Sequence, residues 1–143
     1  MKAIKYILGL VTLCCITFGC NKHELEVGVD AVTFFADLSS APYVPVSKED
    51  LPEWLVIKID MYEFISNSMS IFVARIFKGE WRKQTVYFIR DSGQSCQRCD
   101  FFYEDGSSLG LSYEEKIVDF YVKSKNWVLI YEIGNKEWMI LLN

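Results

Sequence analysis

The clearest chemical signal in this chain is a pair of cysteines, Cys96 and Cys99, with two residues between them. A pair with this spacing serves in proteins as a disulfide, as a redox centre or as half of a metal site. The surrounding stretch from Arg90 to Gly106 is RDSGQSCQRCDFFYEDG. The compartment in which the protein folds, and the elements that hold the pair, decide which chemistry applies.

The sequence offers few other residues or motifs for catalysis or for binding nucleic acid. His23 is the only histidine and stands near the N-terminus, so a Ser-His-Asp or Cys-His site in the folded domain lacks its base. The motifs GxSxG, HExxH and the P-loop are absent from the sequence. A formal net charge of -4 gives no attraction to phosphate backbones. We therefore predict a protein that is not an enzyme, holds no cofactor and binds no nucleic acid.

The N-terminus has the pattern of an export signal. Lys2 and Lys5 precede an apolar run that extends from Ile7 to Phe18. The run is shorter than the ~20 apolar residues that a stable transmembrane helix needs. We predict a signal peptide over residues 1–19; an uncleaved N-terminal anchor is the alternative.

The end of this run, Gly19-Cys20, resembles the cleavage motif of bacterial lipoproteins, in which a small residue precedes a cysteine that receives the lipid. That resemblance implies that Cys20 carries acyl chains such as palmitate and becomes the first residue of the mature protein. Acyl chains hold an otherwise soluble domain at a membrane surface. We therefore expect a lipid anchor in a bacterial cell envelope, on the outer membrane in preference to the inner, facing the periplasm or the cell surface.

Processing also bears on the cysteine pair. Cys14 and Cys15 leave with the signal and Cys20 carries lipid, so Cys96 and Cys99 remain from the five cysteines. An oxidising compartment favours a disulfide between them.

Two other interpretations of the pair stay open. A redox pair normally sits at a helix N-terminus, which lowers the thiol pKa, whereas Cys99 leads into the strand-like run CDFFY. Zinc normally takes four ligands, and besides the two cysteines the mature chain offers only His23 in the lead-in and carboxylates such as Asp91, Asp100 or Glu104. We therefore predict no metal site and keep the thiol-disulfide protein as the alternative function.

Length and composition define one domain with a short lead-in. The chain has 143 residues, of which 51% are hydrophobic, enough to bury a core. Residues 20–48 form a lead-in or tether, in which Pro42 and Pro45 favour extended chain and residues 32–38 form a short strand or a helical turn. Residues 49–143 form the single domain.

The domain opens on an amphipathic helix, predicted over about residues 51–66. Asp50 is its predicted N-cap and Glu53 completes a capping box. Apolar residues recur at helical spacing and form one stripe: Leu51, Trp54, Leu55, Ile59, Tyr62 and Ile65.

The rest of the domain has the composition of strands. Runs rich in β-branched and aromatic residues break at Lys78-Gly79, at residues 91–93 and at Asp105-Gly106. A later strand covers residues 124–135, and KEWMILLN at 136–143 fits one more. Residues 112–123 favour a helix over a strand. The order predicts an α+β fold in which one N-terminal amphipathic helix packs on a curved antiparallel sheet of three to five strands, a two-layer, cystatin-like architecture.

Several of these motifs occur together in a known group. The elements LPEWL at 51–55, GEW at 79–81, TVY at 85–87, the C-x-x-C pair and the Asp105-Gly106 turn resemble small bacterial envelope lipoproteins of unknown function. The resemblance implies the address and the architecture and carries no activity. We therefore predict a lipid-anchored, non-catalytic binding or structural module, whose partner is an envelope protein or a small ligand.

Overall fold

The computed structural model describes residues 22–93, 100–111 and 114–135. The helices of this part of the chain are α1 (Lys22–Ser39), α2 (Glu53–Ser68) and α3 (Glu114–Lys123). Its strands are β1 (Ala74–Trp81), β2 (Gln84–Asp91), β3 (Phe101–Tyr103) and β4 (Lys125–Ile133). The strands form one antiparallel sheet in the order β3-β2-β1-β4. The predicted α+β class is confirmed, and α3 agrees with the helix favoured for this region over its described residues, 114–123.

The β1–β2 hairpin turns at Arg82 and Lys83, not at the predicted break at Lys78-Gly79. Trp81 pairs with Gln84, and the two turn residues have φ values of 52° and 63°, as in a type I′ turn. The strand continues through Gly79 because a neighbour needs the space: a Cβ there would lie 2.5 Å from Cδ2 of Trp127. The glycine therefore serves a close approach instead of a turn.

The sheet buries side chains on both faces. The first face packs against α1 and α3, and its core cluster is largely aromatic: Phe34, Phe77, Trp81, Phe88, Phe101, Phe120 and Tyr121, with Leu38, Val86, Leu109, Leu111, Ile117 and Leu129. The second face packs against α2, and its cluster is largely aliphatic: Leu55, Ile59, Ala74, Ile76, Ile89, Ile130 and Ile133, with Tyr62 and Tyr87.

Helices on both faces add a layer to the predicted two-layer, cystatin-like arrangement of one helix on a sheet. The physical reason is visible in β2, where Val86, Tyr87, Phe88 and Ile89 are all buried. A strand with consecutive buried residues needs cover on both sides. The prediction placed the helix of the second face correctly and omitted the cover of the first.

The extra cover comes partly from the segment predicted as a tether. Residues 32–38, predicted as a strand or a helical turn, belong to α1, and Phe34 and Leu38 are buried in the first-face core. The ring of Phe34 stacks on Tyr121 of α3 at 4.9 Å between centroids. From Ala31 onward the lead-in therefore contributes to the packed domain.

Helix α2 confirms the predicted apolar stripe and corrects its cap. Leu55, Ile59 and Tyr62 are buried against the sheet. The predicted capping box of Asp50 and Glu53 does not form, because residues 48–50 make a 3₁₀ turn of their own and Pro52 occupies the N-cap position without a side-chain hydrogen bond. The observed helix runs two residues later than predicted at each end.

Both edges of the described sheet are paired. Residues 42–46, which we call the strap, run parallel to β4: Val44 donates its backbone N–H to Leu129 at 2.8 Å, and Leu129 donates to Pro42 at 3.0 Å. At the other edge, Tyr103 donates to Ser107 and Leu109 donates to Phe101, each at 2.9 Å. The predicted turn between them is confirmed, with Gly106 at φ 86°. Paired edges offer little template for association with another sheet.

Candidate functional site

The site residues predicted from sequence lie outside the described residues. Segment 1–21 contains Cys20, and segment 94–99 contains Cys96 and Cys99. The strand predicted at 136–143 also lies outside the described residues. Lipidation of Cys20 and pairing of Cys96 with Cys99 therefore stay predictions. The structure does describe the chain on either side of the cysteine pair: β2 ends at Asp91, and Asp100 accepts a backbone hydrogen bond from Ile89 at 3.1 Å.

Two carboxylates flank the segment that carries the cysteines. Burial raises the pKa of Tyr62 to about 12, and the charges of Asp91 and Asp100 together with a hydrogen bond to Asp91 contribute to the rise. Both carboxylates therefore act on the same phenol at this corner of the sheet.

A groove of about 420 Å³ lies open on the second face. Helix α2 covers the end of this face near Ala74 and Ile133, where its buried side chains pack. The opposite end, beside the β1–β2 hairpin, has no helix over it among the described elements. The groove is lined by Val44, Val46, Val128 and Ile130, by Lys78, Glu80, Lys83, Thr85 and Asn126, and by Gly79.

Strand alternation positions the polar residues of the groove. Phe77 and Trp81 of β1 point into the first-face core, so Lys78 and Glu80 project from the second face. Lys78 pairs across the strands with Val128 of β4, and Glu80 pairs with Thr85 of β2. Charged and apolar side chains therefore stand side by side on one surface.

The apolar floor depends on the strap and on an irregularity in β4. The backbone N–H of Val46 donates to the carbonyl of Ile130 at 3.2 Å, which sets Val46 beside the strand. In β4, Leu129 pairs with Phe77 and Tyr131 with Ile76, so Ile130 is an extra residue between them. Ile130 accordingly belongs to the second-face cluster and lines the groove.

The rim of the groove holds unusual backbone. Lys83 and Asn126 both line it, and both have positive φ, at 63° and 58°. The value at Lys83 belongs to the type I′ turn of the hairpin, and that at Asn126 lies near the start of β4.

The groove carries positive charge in a chain that is acidic as a whole. Glu80 is offset by Lys125, whose Nζ lies 3.8 Å from its Oε1. Lys78 and Lys83 make no ion pair within the described part of the chain. The net charge of the whole chain is -4. The groove therefore favours a ligand that joins an anionic group to an apolar portion.

A second cavity, of about 470 Å³, lies between the C-terminal end of α2 and the end of β4. Its two carboxylates are already engaged. Glu63 accepts hydrogen bonds from Tyr131 at 2.9 Å and from Lys48 at 2.7 Å, and Glu132 accepts one from Arg75 at 3.1 Å. The hydrogen bonds from Lys48 to Asp60 and to Glu63 raise the pKa of Lys48 and fasten the 3₁₀ turn to α2, and Tyr131 joins Glu63 to β4. We interpret this cavity as structural.

Sequence reasoning missed the groove because its residues come from three separate segments. The signal was partly present: Lys78 and Glu80 alternate with Phe77 and Trp81, and prolines keep residues 42–46 extended. Nothing in the sequence indicated that the strap lies beside β4. Over residues 22–93, 100–111 and 114–135, no group of three or more His, Cys, Asp or Glu side chains is placed to hold a metal ion.

Comparisons with models of known protein families, with curated proteins and with solved structures give no match to this chain. No helix within the described ranges combines the length and the apolar character needed to cross a membrane. The functional argument therefore proceeds from the geometry of the groove.

Proposed function

We propose that this protein is an exported, lipid-anchored binding module of the bacterial cell envelope, without catalytic activity, that takes its ligand in the groove. The observation that carries the proposal is the combination of four apolar side chains with two lysines, Lys78 and Lys83, that lack an ion-pair partner among the described residues. The export signal and Gly19-Cys20 support the address.

The ligand class follows from the chemistry of the lining. A carboxylate or phosphate group beside Lys78 and Lys83 gains charge-assisted hydrogen bonds, and a hydrocarbon portion over Val128 and Ile130 is removed from water. A volume of about 420 Å³ falls within the usual range for small-molecule sites, roughly 300–1,000 Å³. We therefore propose a small anionic amphiphile, a kind of molecule that a protein held at a membrane surface encounters.

The proposal is tested by titrating the purified full chain with decanoate and, in parallel, with uncharged decanol. We expect saturable binding of decanoate, weakened about tenfold in the double variant Lys78→Gln/Lys83→Gln because the charge-assisted bonds are lost. Lys58→Gln is the matched control, since Lys58 lies over the Phe102 ring at 5.1 Å, outside the groove. Equal binding of decanol, or an equal loss in the control, contradicts the proposal.

The anchor has its own test. Mass spectrometry of the exported protein should find Cys20 as the first residue, carrying acyl chains. An N-terminus that retains Met1, or cleavage beyond Cys20, contradicts the lipid anchor and leaves the groove proposal to its own titration.

We further propose that Cys96 and Cys99 form a structural disulfide in the exported protein. The oxidising compartment supports this pairing. The described chain after the pair also supports it, because residues 101–103 form strand β3 and not the helix start that acidifies a redox thiol.

A further inference from the structure

The two residues of the β1–β2 turn make contacts on different faces of the sheet. Arg82 donates from Nε and Nη2 to Oδ2 of Asp119 in α3, at 3.0 and 2.8 Å. Lys83, the next residue, lines the groove on the second face. Because the two residues are adjacent in one tight turn, a contact that fixes Arg82 also limits where Lys83 can lie.

The turn has a backbone conformation that its own residues do not favour. A type I′ turn requires positive φ at both central residues, and asparagine and glycine are preferred there. Arg82 and Lys83, at 52° and 63°, each have a Cβ that crowds the backbone in this region. Such a conformation persists where surrounding contacts hold it in place. The bonds between Arg82 and Asp119 are contacts of this kind.

Asp119 is a well-fixed acceptor for the turn. Its side chain is 17% exposed, and its Oδ2 also accepts a hydrogen bond from Nε1 of Trp81 at 3.2 Å. Its Oδ1 pairs with Nζ of Lys123, four residues further along α3, at 2.5 Å. Hydrogen bonds from Lys123 and Arg82 hold the pKa of Asp119 below its usual value. The carboxylate is therefore charged at neutral pH.

The guanidinium group of Arg82 is also held by an aromatic ring. Its Cζ lies 4.4 Å from the centre of the Trp81 ring, a distance at which a cation is attracted to the ring face. Trp81 is almost fully buried in the first-face core, so the ring itself is fixed. The ring and the carboxylate of Asp119 therefore orient Arg82 together, although its side chain is largely exposed.

The other lysine of the groove does not depend on the turn. Lys78 lies within β1, where it pairs with Tyr87 of β2 and with Val128 of β4. Strand pairing on both sides therefore sets its position. Lys83 lies between β1 and β2, outside both strands, so its place in the groove depends on the turn. A contact that holds the turn should affect Lys83 and leave Lys78 unchanged.

We propose that Asp119 is a positioning residue for the groove: by holding Arg82 from the first face, it keeps the ammonium group of Lys83 in the groove, where the anionic group of the ligand binds. This inference rests on the proposed function of the groove. It adds to the binding machinery a residue that does not line the groove and lies on the opposite face of the sheet. Helix α3 thereby contributes to ligand affinity through the turn.

A double-mutant cycle on decanoate affinity of the full chain tests this coupling. Asp119→Asn keeps the size of the side chain and removes its charge. It should weaken decanoate binding by about threefold, and by no more than Lys83→Gln does. In the Lys83→Gln background it should have no further effect, because the group that it positions is gone. In the Lys78→Gln background the full loss should persist. Additive losses in the Lys83→Gln background would overturn the proposal.

Two further variants separate positioning from a general loss of stability. Lys123→Gln removes the other ion pair of Asp119 and leaves the bonds to the turn, so it should not change decanoate affinity. Arg82→Gln breaks the same contact from the side of the turn, at a largely exposed side chain, and should reproduce the loss. The thermal unfolding midpoint verifies that each variant is folded. Equal losses in Lys123→Gln, or no loss in Arg82→Gln, contradict the proposal.

Nuclear magnetic resonance examines the turn without ligand. A positive φ, such as the 63° of Lys83, brings the amide proton of a residue close to its own Hα, which gives a strong nuclear Overhauser effect. Asp119→Asn should weaken this signal at Lys83, and Lys123→Gln should not. An unchanged signal in Asp119→Asn overturns the inference. If the parent protein binds no decanoate, the proposed function is wrong, whereas this measurement still decides whether Asp119 holds the turn.

Discussion

The two faces of the sheet are built differently. On the first face two helices enclose an aromatic core, in which Phe101 stacks on Phe88 at 4.3 Å and meets the edge of Phe120 at 4.8 Å. On the second face, within the part of the chain that the structure describes, a single helix packs on aliphatic side chains and leaves one end uncovered. The same four strands therefore serve as a sealed core on one side and as a partly open surface on the other. The difference shows that the number of covering helices, more than the strands themselves, decides which part of the described sheet stays open.

The most severe test of this comparison is a charge under α2. Ile59→Asp should abolish folding, because Ile59 is fully buried in a largely aliphatic cluster, where an ionised carboxylate loses its hydration. Ile57→Asp, two residues away on the exposed side, is the control and should change stability by less than about 1 kcal/mol. Circular dichroism and thermal unfolding measure both. Equal effects of the two variants would mean that α2 does not present Ile59 to the sheet.

Substitution of a large side chain by alanine should lower the free energy of unfolding more on the first face than in the groove of the second face. Phe101→Ala should lower the free energy of unfolding by about 3–5 kcal/mol, since it opens a cavity among aromatic rings that cannot close up. Val128→Ala, on the half-buried floor of the groove, should lower it by less than about 1 kcal/mol, because no enclosed cavity forms there. Denaturant unfolding measures both values. Similar losses would erase the proposed distinction between the faces.

Alkaline pH should lower the stability of the fold through ionisation of Tyr62, which belongs to the second-face cluster. Burial, Asp91 and Asp100 hold its folded-state pKa at about 12, against about 10 in an unfolded chain. The neutral phenol therefore stabilises the fold below pH 10, and this stabilisation, roughly 2–3 kcal/mol, is lost as pH rises from 10 to 12. Tyr62→Phe cannot ionise, so its stability should fall less steeply over that window.

Tyr43→Phe is the control for this titration, since Tyr43 is 55% exposed. Apart from the substituted tyrosine, the three proteins share the same ionisable groups, so differences between their pH profiles isolate the phenol. Parallel profiles for the parent and Tyr62→Phe would contradict the raised pKa.

The smallest expected effect concerns the corner at which β2 leads toward β3. Replacing Cys96 and Cys99 with serine should lower stability by about 1–3 kcal/mol, the low side for a disulfide because the closed loop is short. Decanoate binding in the groove should persist. Thiol titration of the exported protein should find no free thiol at either position. Free thiols, or a reduction potential near that of oxidoreductases, would favour the redox alternative.

Sequence patterns predicted the features that depend on local periodicity. The spacing of Leu55, Ile59 and Tyr62 indicated both the helix and its buried side, and Asp105-Gly106 indicated the turn. The Lys78-Gly79 break was wrong because the need for glycine arises from Trp127, a residue nearly fifty positions later. Such contacts between distant segments leave no local signal.

The open groove was beyond prediction for the same reason. Its position depends on where α2 stops covering the sheet and on the pairing of the strap with β4, and both are tertiary facts. The helical cover of the first face was easier to predict from the sequence. Consecutive buried residues in VYFI, at 86–89, indicate a strand with apolar contacts on both sides, and Phe34 and Leu38 were available in the lead-in to supply them.

The strap also determines how the domain bears mechanical load. It is the segment by which the chain passes from α1 on one face to α2 on the other, around the edge of β4. A pull on the chain that enters the strap from α1 would act lengthwise along β4. Three backbone hydrogen bonds, which join Val44 and Pro42 to Leu129 and Val46 to Ile130, would then be loaded together in shear. A segment bonded in this way resists such a pull with several bonds at once, whereas a strand peeled from its end would release them one after another.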